Sequence, residues 1–99
     1  ELKEGMIISN EPGYYKENEY GIRIENLVYV KQSNGDKNNL KFETLTMSPI
    51  DKSLIKVNLL DHKEKGWLND YHKEVFKEIS PFLDNSQKSW LEICCSPIH

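Results

Sequence analysis

Among its 99 residues the chain has no alanine, one arginine against twelve lysines, and two cysteines. Apolar residues reach only 37% with tyrosine counted, charged residues make up 29%, and mean hydropathy is −0.68. No run approaches the ~20 apolar residues of a membrane-spanning helix. The first residues, Glu1-Leu2-Lys3-Glu4-Gly5, lack the basic-then-apolar layout of a secretory signal, which points to the cytoplasm. A net charge of −3 with scattered lysines argues against electrostatic binding of nucleic acid. Cys94 and Cys95 are adjacent, with no CxxC spacing and no second pair, so zinc knuckles and disulfide scaffolds are excluded. No histidine precedes His62, and there is no HExxH, Gly-rich phosphate loop or nucleophile elbow. The missing alanine and the nine asparagines read as coding bias without chemical content. The solitary Arg23 is different, because a planar, multidentate guanidinium does what an ammonium cannot.

What is present changes character near residue 50. Before it the signals are those of strands: Met6-Ile7-Ile8, stopped by Ser9-Asn10 and the Pro12-Gly13 turn; Tyr20 to Val30 as one long strand; and Leu40 to Met47, closed by Ser48-Pro49. Lys16 to Glu19 reads as an exposed loop, and Asn34-Gly35 as a hairpin turn lengthened by Asp36 to Asn39. After residue 50 the period is helical. Asp61 with Glu64 three positions on forms a capping box, and Leu68, Tyr71 or His72, Val75, Phe76 and Ile79 make one apolar stripe that Pro81 ends. A second short helix is predicted from about Ser86 to Cys95, with Trp90, Leu91 and Cys94 inward. The reading is α+β, divided into residues 1–50 and 51–99.

Three residues could carry chemistry. Glu25 lies in a strand with Arg23 two residues away on the same face. The plain reading is a structural ion pair on a solvated sheet. Glu11 ends the first strand, held extended by Pro12. If that strand pairs antiparallel with the one through Glu25, the two carboxylates meet on one face and need a proton, an arginine or a cation between them. They would then offer hard oxygen ligands to Mg²⁺, Mn²⁺ or a similar ion; the alternative is two unrelated surface glutamates. His62, His72 and His99 read as solvated or capping side chains, and Tyr14-Tyr15, Trp67 and Trp90 as packing residues.

Ser9-Asn10-Glu11-Pro12-Gly13-Tyr14-Tyr15 followed by Gly21-Ile22-Arg23-Ile24-Glu25-Asn26 closely resembles the end of the catalytic domain of the Xaa-Pro aminopeptidases (aminopeptidase P), pita-bread metallopeptidases related to prolidase and methionine aminopeptidase. The likeness runs on through Phe42-Glu43-Thr44-Leu45-Thr46, Pro49-Ile50 and Leu60-Asp61 to Trp67-Leu68-Asn69-Asp70-Tyr71-His72, which is similar to the C-terminal extension of the larger, cytosolic-type enzymes. The resemblance implies that residues 1–50 are the C-terminal portion of a pita-bread domain and residues 51–99 its helical extension. It implies two divalent metal ions, usually Mn²⁺ with Zn²⁺ or Co²⁺ as alternatives. Glu11 would bind one metal, contact the substrate and the attacking water, and shuttle a proton. Glu25 would bridge both metals, with Arg23 orienting the carboxylates.

The substrates implied are peptides with proline second. The family's two aspartate ligands and its histidines are absent here, so the resemblance also implies a C-terminal piece, inactive alone, that needs the upstream part of the same enzyme. As a full-length protein it would be a cytoplasmic homodimer with no nucleic-acid or membrane partner. Two alternatives stay open: a prolidase acting on Xaa-Pro dipeptides, and a non-catalytic pita-bread module that binds other proteins.

Overall fold

A computed structural model describes residues 1–99 as an α+β chain of five strands followed by two α-helices. The strands are β1 (Ile7–Asn10), β2 (Gly13–Lys16), β3 (Tyr20–Arg23), β4 (Asn26–Ser33) and β5 (Asp36–Thr44); the helices are α1 (His62–Ile79) and α2 (Asn85–Cys94). The chain forms two compact units, Glu1–Thr46 and Met47–His99.

The first unit is wholly antiparallel. One sheet has the order β1-β4-β5, and β2 and β3 form a two-stranded ribbon. β1 pairs with β4 from Ile7 opposite Tyr29 to Asn10 opposite Asn26. β2 pairs with β3 from Gly13 opposite Arg23 to Lys16 opposite Tyr20. The two ladders share one register: one step past Asn10–Asn26 sets Glu11 opposite Glu25, and the next sets Pro12 opposite Ile24, whose N–H donates to the Pro12 carbonyl at 3.1 Å. The interruption falls at Pro12, which has no N–H to give to the ladder. The single strand expected over Tyr20–Val30 is therefore two strands, with Ile24 and Glu25 between them.

Asn34 and Gly35 both take positive φ (53° and 73°), the conformation of a two-residue hairpin turn, so β5 begins at Asp36 rather than Leu40. Asp36 keeps Lys37–Asn39 folded against the strand by accepting from the Asn38 N–H and the Asn39 amide. Val30 (1% exposed) is the buried residue of this unit. Ile7, Ile22, Ile24, Leu27, Leu40 and Phe42 remain exposed, so the unit has little interior of its own.

In the second unit Tyr71, Val75, Leu91 and Cys95 form a core on which Met47, Ile50, Phe76, Ile79 and Leu83 pack. The Asp61 carboxylate accepts from the Glu64 N–H, and Glu64 accepts from the Asp61 N–H, both at 2.8 Å, so the capping box is present. Asp84 and Gln87 make a second one that starts α2 at Asn85. α1 then fastens the extended segments to itself. Tyr71 Oη donates to the Ser48 carbonyl (2.9 Å), His72 Nε2 accepts from the Ile50 N–H (3.0 Å), and the Asn69 amide holds both backbone groups of Ile98 (2.9 Å each). Lys52 Nζ closes α2 by donating to the carbonyls of Ile93 and Ser96 and to Ser96 Oγ.

Three sequence expectations fail here. Trp90 is 61% exposed and points away from the core. Trp67, at 55%, stacks flat on Tyr71 (5.5 Å, 2°) as the outer layer of an i, i+4 pair. His72 is fully buried, because the apolar stripe of α1 runs through it and its ring nitrogen serves the Ile50 N–H.

Candidate metal-binding face

The site is built by register. Residues directly opposite in an antiparallel ladder point to the same face, and so do residues two apart along a strand. Ser9, Glu11, Gly13 and Tyr15 therefore share one face with Gly21, Arg23, Glu25 and Leu27. Glu11 and Glu25 occupy the middle of that face at the interruption, where the ladder gives way to a pair of carboxylates.

The polar groups form a continuous line. Arg23 Nε donates to Glu25 Oε2 at 3.3 Å in an ion pair that is about half exposed. The guanidinium also donates to the Tyr15 hydroxyl, and both partners, Glu25 first, hold it above its ordinary pKa. At the other end the Ser9 hydroxyl donates to Glu11. That bond, then one shared with Glu25, then the Arg23 charge, hold the Glu11 carboxyl below its usual range against a small opposing loss of hydration. Glu11 is accordingly an anion at neutral pH.

Two facing carboxylates, exposed and within hydrogen-bond reach of each other, suit a hard divalent cation. They are only part of a ligand set: no group of three or more His, Cys, Asp or Glu side chains in this chain is arranged to hold a metal. Glu11, Glu25 and Arg23, singled out from the sequence, thus come together. His62, His72 and His99 do not join them; His72 belongs to the second unit's interior. Sequence reasoning missed Ser9 and Tyr15. The signal available was parity, since both lie two or four residues from Glu11 on the same side of the strand.

Known proteins place this arrangement. Residues 1–32 match metallopeptidase family M24, and residues 38–98 match the C-terminal region of peptidase M24. A protein of Coprinopsis cinerea named "Probable Xaa-Pro aminopeptidase P" is 50% identical over 98% of the chain, and "Aminopeptidase P2" of Arabidopsis thaliana is 46% identical over 91%. The chain spans 17% and 14% of those relatives' lengths. Among solved structures, the X-prolyl aminopeptidase of Caenorhabditis elegans, described as a cytosolic enzyme with a di-nuclear active site, superposes with a TM-score of 0.82 and 36% identity over 98% of the chain and 17% of its own. The strands and helices are those of the C-terminal part of a pita-bread domain, and the chain belongs to metallopeptidase family M24.

Proposed function

We propose that this chain supplies Glu11 and Glu25 to the dinuclear metal site of an Xaa-Pro aminopeptidase, which removes the N-terminal residue from peptides with proline second. The single observation that carries the reading is the pair of carboxylates set opposite each other where the shared register is interrupted. The divalent ions, for which Mn²⁺ is proposed, lower the pKa of a water and polarise the scissile carbonyl when bound. Glu11 is an anion at neutral pH, so its carboxylate can both bind a cation and accept a proton from the attacking water. Glu25 uses its two oxygens to bridge, while Arg23 fixes their orientation from the side.

Residues 1–50 are read as the end of the catalytic domain and residues 51–99 as its helical extension. The remaining ligands then come from the upstream part of the enzyme, read by family resemblance as a homodimer. A cytoplasmic location is proposed from the cytosolic C. elegans relative; no helix is long and apolar enough to cross a membrane. The match of residues 38–98 to the C-terminal region, with aminopeptidase P relatives over nearly the whole chain, favours this reading over a prolidase. The Glu11, Glu25 and Arg23 cluster favours it over a non-catalytic module.

The test uses the full-length protein with Mn²⁺, an Xaa-Pro-Yaa tripeptide and an Xaa-Pro dipeptide. The tripeptide is cleaved and preferred. Glu11→Ala and Glu25→Ala each abolish turnover while the melting temperature holds, because both side chains are exposed. Near-normal turnover by either variant refutes the site, and preference for the dipeptide refutes the substrate class.

A further inference from the structure

Tyr15 lies across two glycines. A Cβ added at Gly21, its direct cross-strand partner, would sit 2.6 Å from Tyr15 Cδ1, and one at Gly13 would sit 2.8 Å from the Tyr15 hydroxyl oxygen. Both distances are shorter than side chains tolerate, so a side chain at either position would push the ring off the sheet. The ring points along its own strand, toward Glu11, and its hydroxyl reaches Arg23, the residue opposite Gly13. Neither glycine has positive φ, so neither is required by the backbone conformation. Their common property is the flat floor they leave for the ring.

We infer that Tyr15 is a positioning residue of the metal site: lying on Gly13 and Gly21, it uses its hydroxyl to hold the Arg23 guanidinium against Glu25. This rests on the dinuclear reading above and adds two glycines and a phenol to its working parts. An arginine on an exposed sheet face samples several rotamers. A hydroxyl that accepts one of its N–H groups removes that freedom and leaves Nε for the Glu25 carboxylate. Aromatic rings also cover sheet glycines for purely structural reasons. The two roles separate at the oxygen atom, because packing needs the ring and positioning needs the hydroxyl.

The experiment compares Tyr15→Phe, Arg23→Lys and the double variant in the full-length protein, measuring Mn²⁺ affinity by calorimetry, kcat and KM on an Xaa-Pro-Yaa peptide, and melting temperature. Tyr15→Phe is expected to leave melting unchanged and to weaken Mn²⁺ binding or kcat by about ten-fold or more, the usual cost of removing a group that orients a metal ligand. KM should change less than about two-fold, and in the Arg23→Lys background Tyr15→Phe should add almost nothing, since the two act as one unit. Gly21→Ala, which displaces the ring, should reproduce the Tyr15→Phe loss.

Unchanged metal affinity and kcat in Tyr15→Phe overturn the inference, as does full additivity with Arg23→Lys. A rise in KM alone means that Tyr15 touches substrate instead, and also overturns it. If the unsubstituted protein takes up no metal, the dinuclear reading falls and this inference with it. If it binds Mn²⁺ but leaves Xaa-Pro peptides intact, only the substrate assignment fails, and the affinities still decide the role of Tyr15.

Discussion

His72 makes the stability of the second unit depend on pH in a calculable direction. Its ring is fully buried, Nε2 accepts from the Ile50 N–H, and Nδ1 has no hydrogen-bond partner. The neutral ring therefore carries its proton on Nδ1. Burial first, and the nearby Lys52 charge second, push its pKa below the ordinary 6.5. Protonating Nε2 would put two donors face to face at Ile50 and leave a charge in an apolar interior.

Because the folded-state pKa is depressed, the unfolded chain binds the extra proton first, and stability falls as pH drops. The contribution is complete above about pH 6.5 and is lost as pH falls through the lower folded value, at a slope of at most ~1.4 kcal/mol per pH unit for one proton. Urea midpoints between pH 5 and 8 would measure it, read by the fluorescence of Trp67, which stacks one turn away on Tyr71. His72→Gln, whose side-chain oxygen can still accept from Ile50, should flatten the profile in that window, while His62→Gln, at the exposed start of α1, should not. A variant that fails to engage the Ile50 N–H loses about 1–3 kcal/mol at pH 8. A flat wild-type profile, or the same slope in His72→Gln, would refute the reasoning.

The other expectations are simpler. Leu91→Ala removes a side chain 2% exposed at the centre of the second unit's core. It should cost about 2–5 kcal/mol in denaturant unfolding, and a loss under about 1 kcal/mol would mean the site collapses around the gap. Lys52→Met takes away the donor that closes α2 and the charge facing His72. Its pH-dependent loss should begin nearer pH 6.5 than in the parent. The 99-residue chain by itself should show no tight stoichiometric Mn²⁺ binding, since it holds two carboxylates where a site needs more donors; a strong calorimetric signal would contradict this.

The helical half was legible because its signals are local. The Asp61–Glu64 box and the stripe from Leu68 to Ile79 each follow from a few neighbouring residues, and both are present. Trp67 and Trp90 misled because size suggests burial, whereas a helix buries by angle, and the inward angles belong to Leu68, Tyr71, His72, Val75 and Leu91. In the strands, pairing of the segment ending at Glu11 with the one containing Glu25 was stated as a condition, and the register meets it. The break beside Pro12 was harder to foresee. Ile22-Arg23-Ile24-Glu25 alternates as cleanly as any strand, and only the absent N–H on the opposite side stops the ladder. The line through Ser9, Tyr15 and Arg23 was hidden for the same reason: it depends on which residues face one another, and that is a property of two segments at once.

The common register has a consequence for how such a segment tolerates length change. Inserting or deleting one residue between Glu11 and Lys16, or between Tyr20 and Glu25, would rotate one carboxylate to the opposite side of the ribbon. The same change within Glu17–Glu19, at the tip where Asn18 already takes positive φ, would leave both where they are. The arms behave as a calliper whose jaws are set by counting, while its handle can be lengthened, and a reporter peptide or affinity tag belongs at that tip.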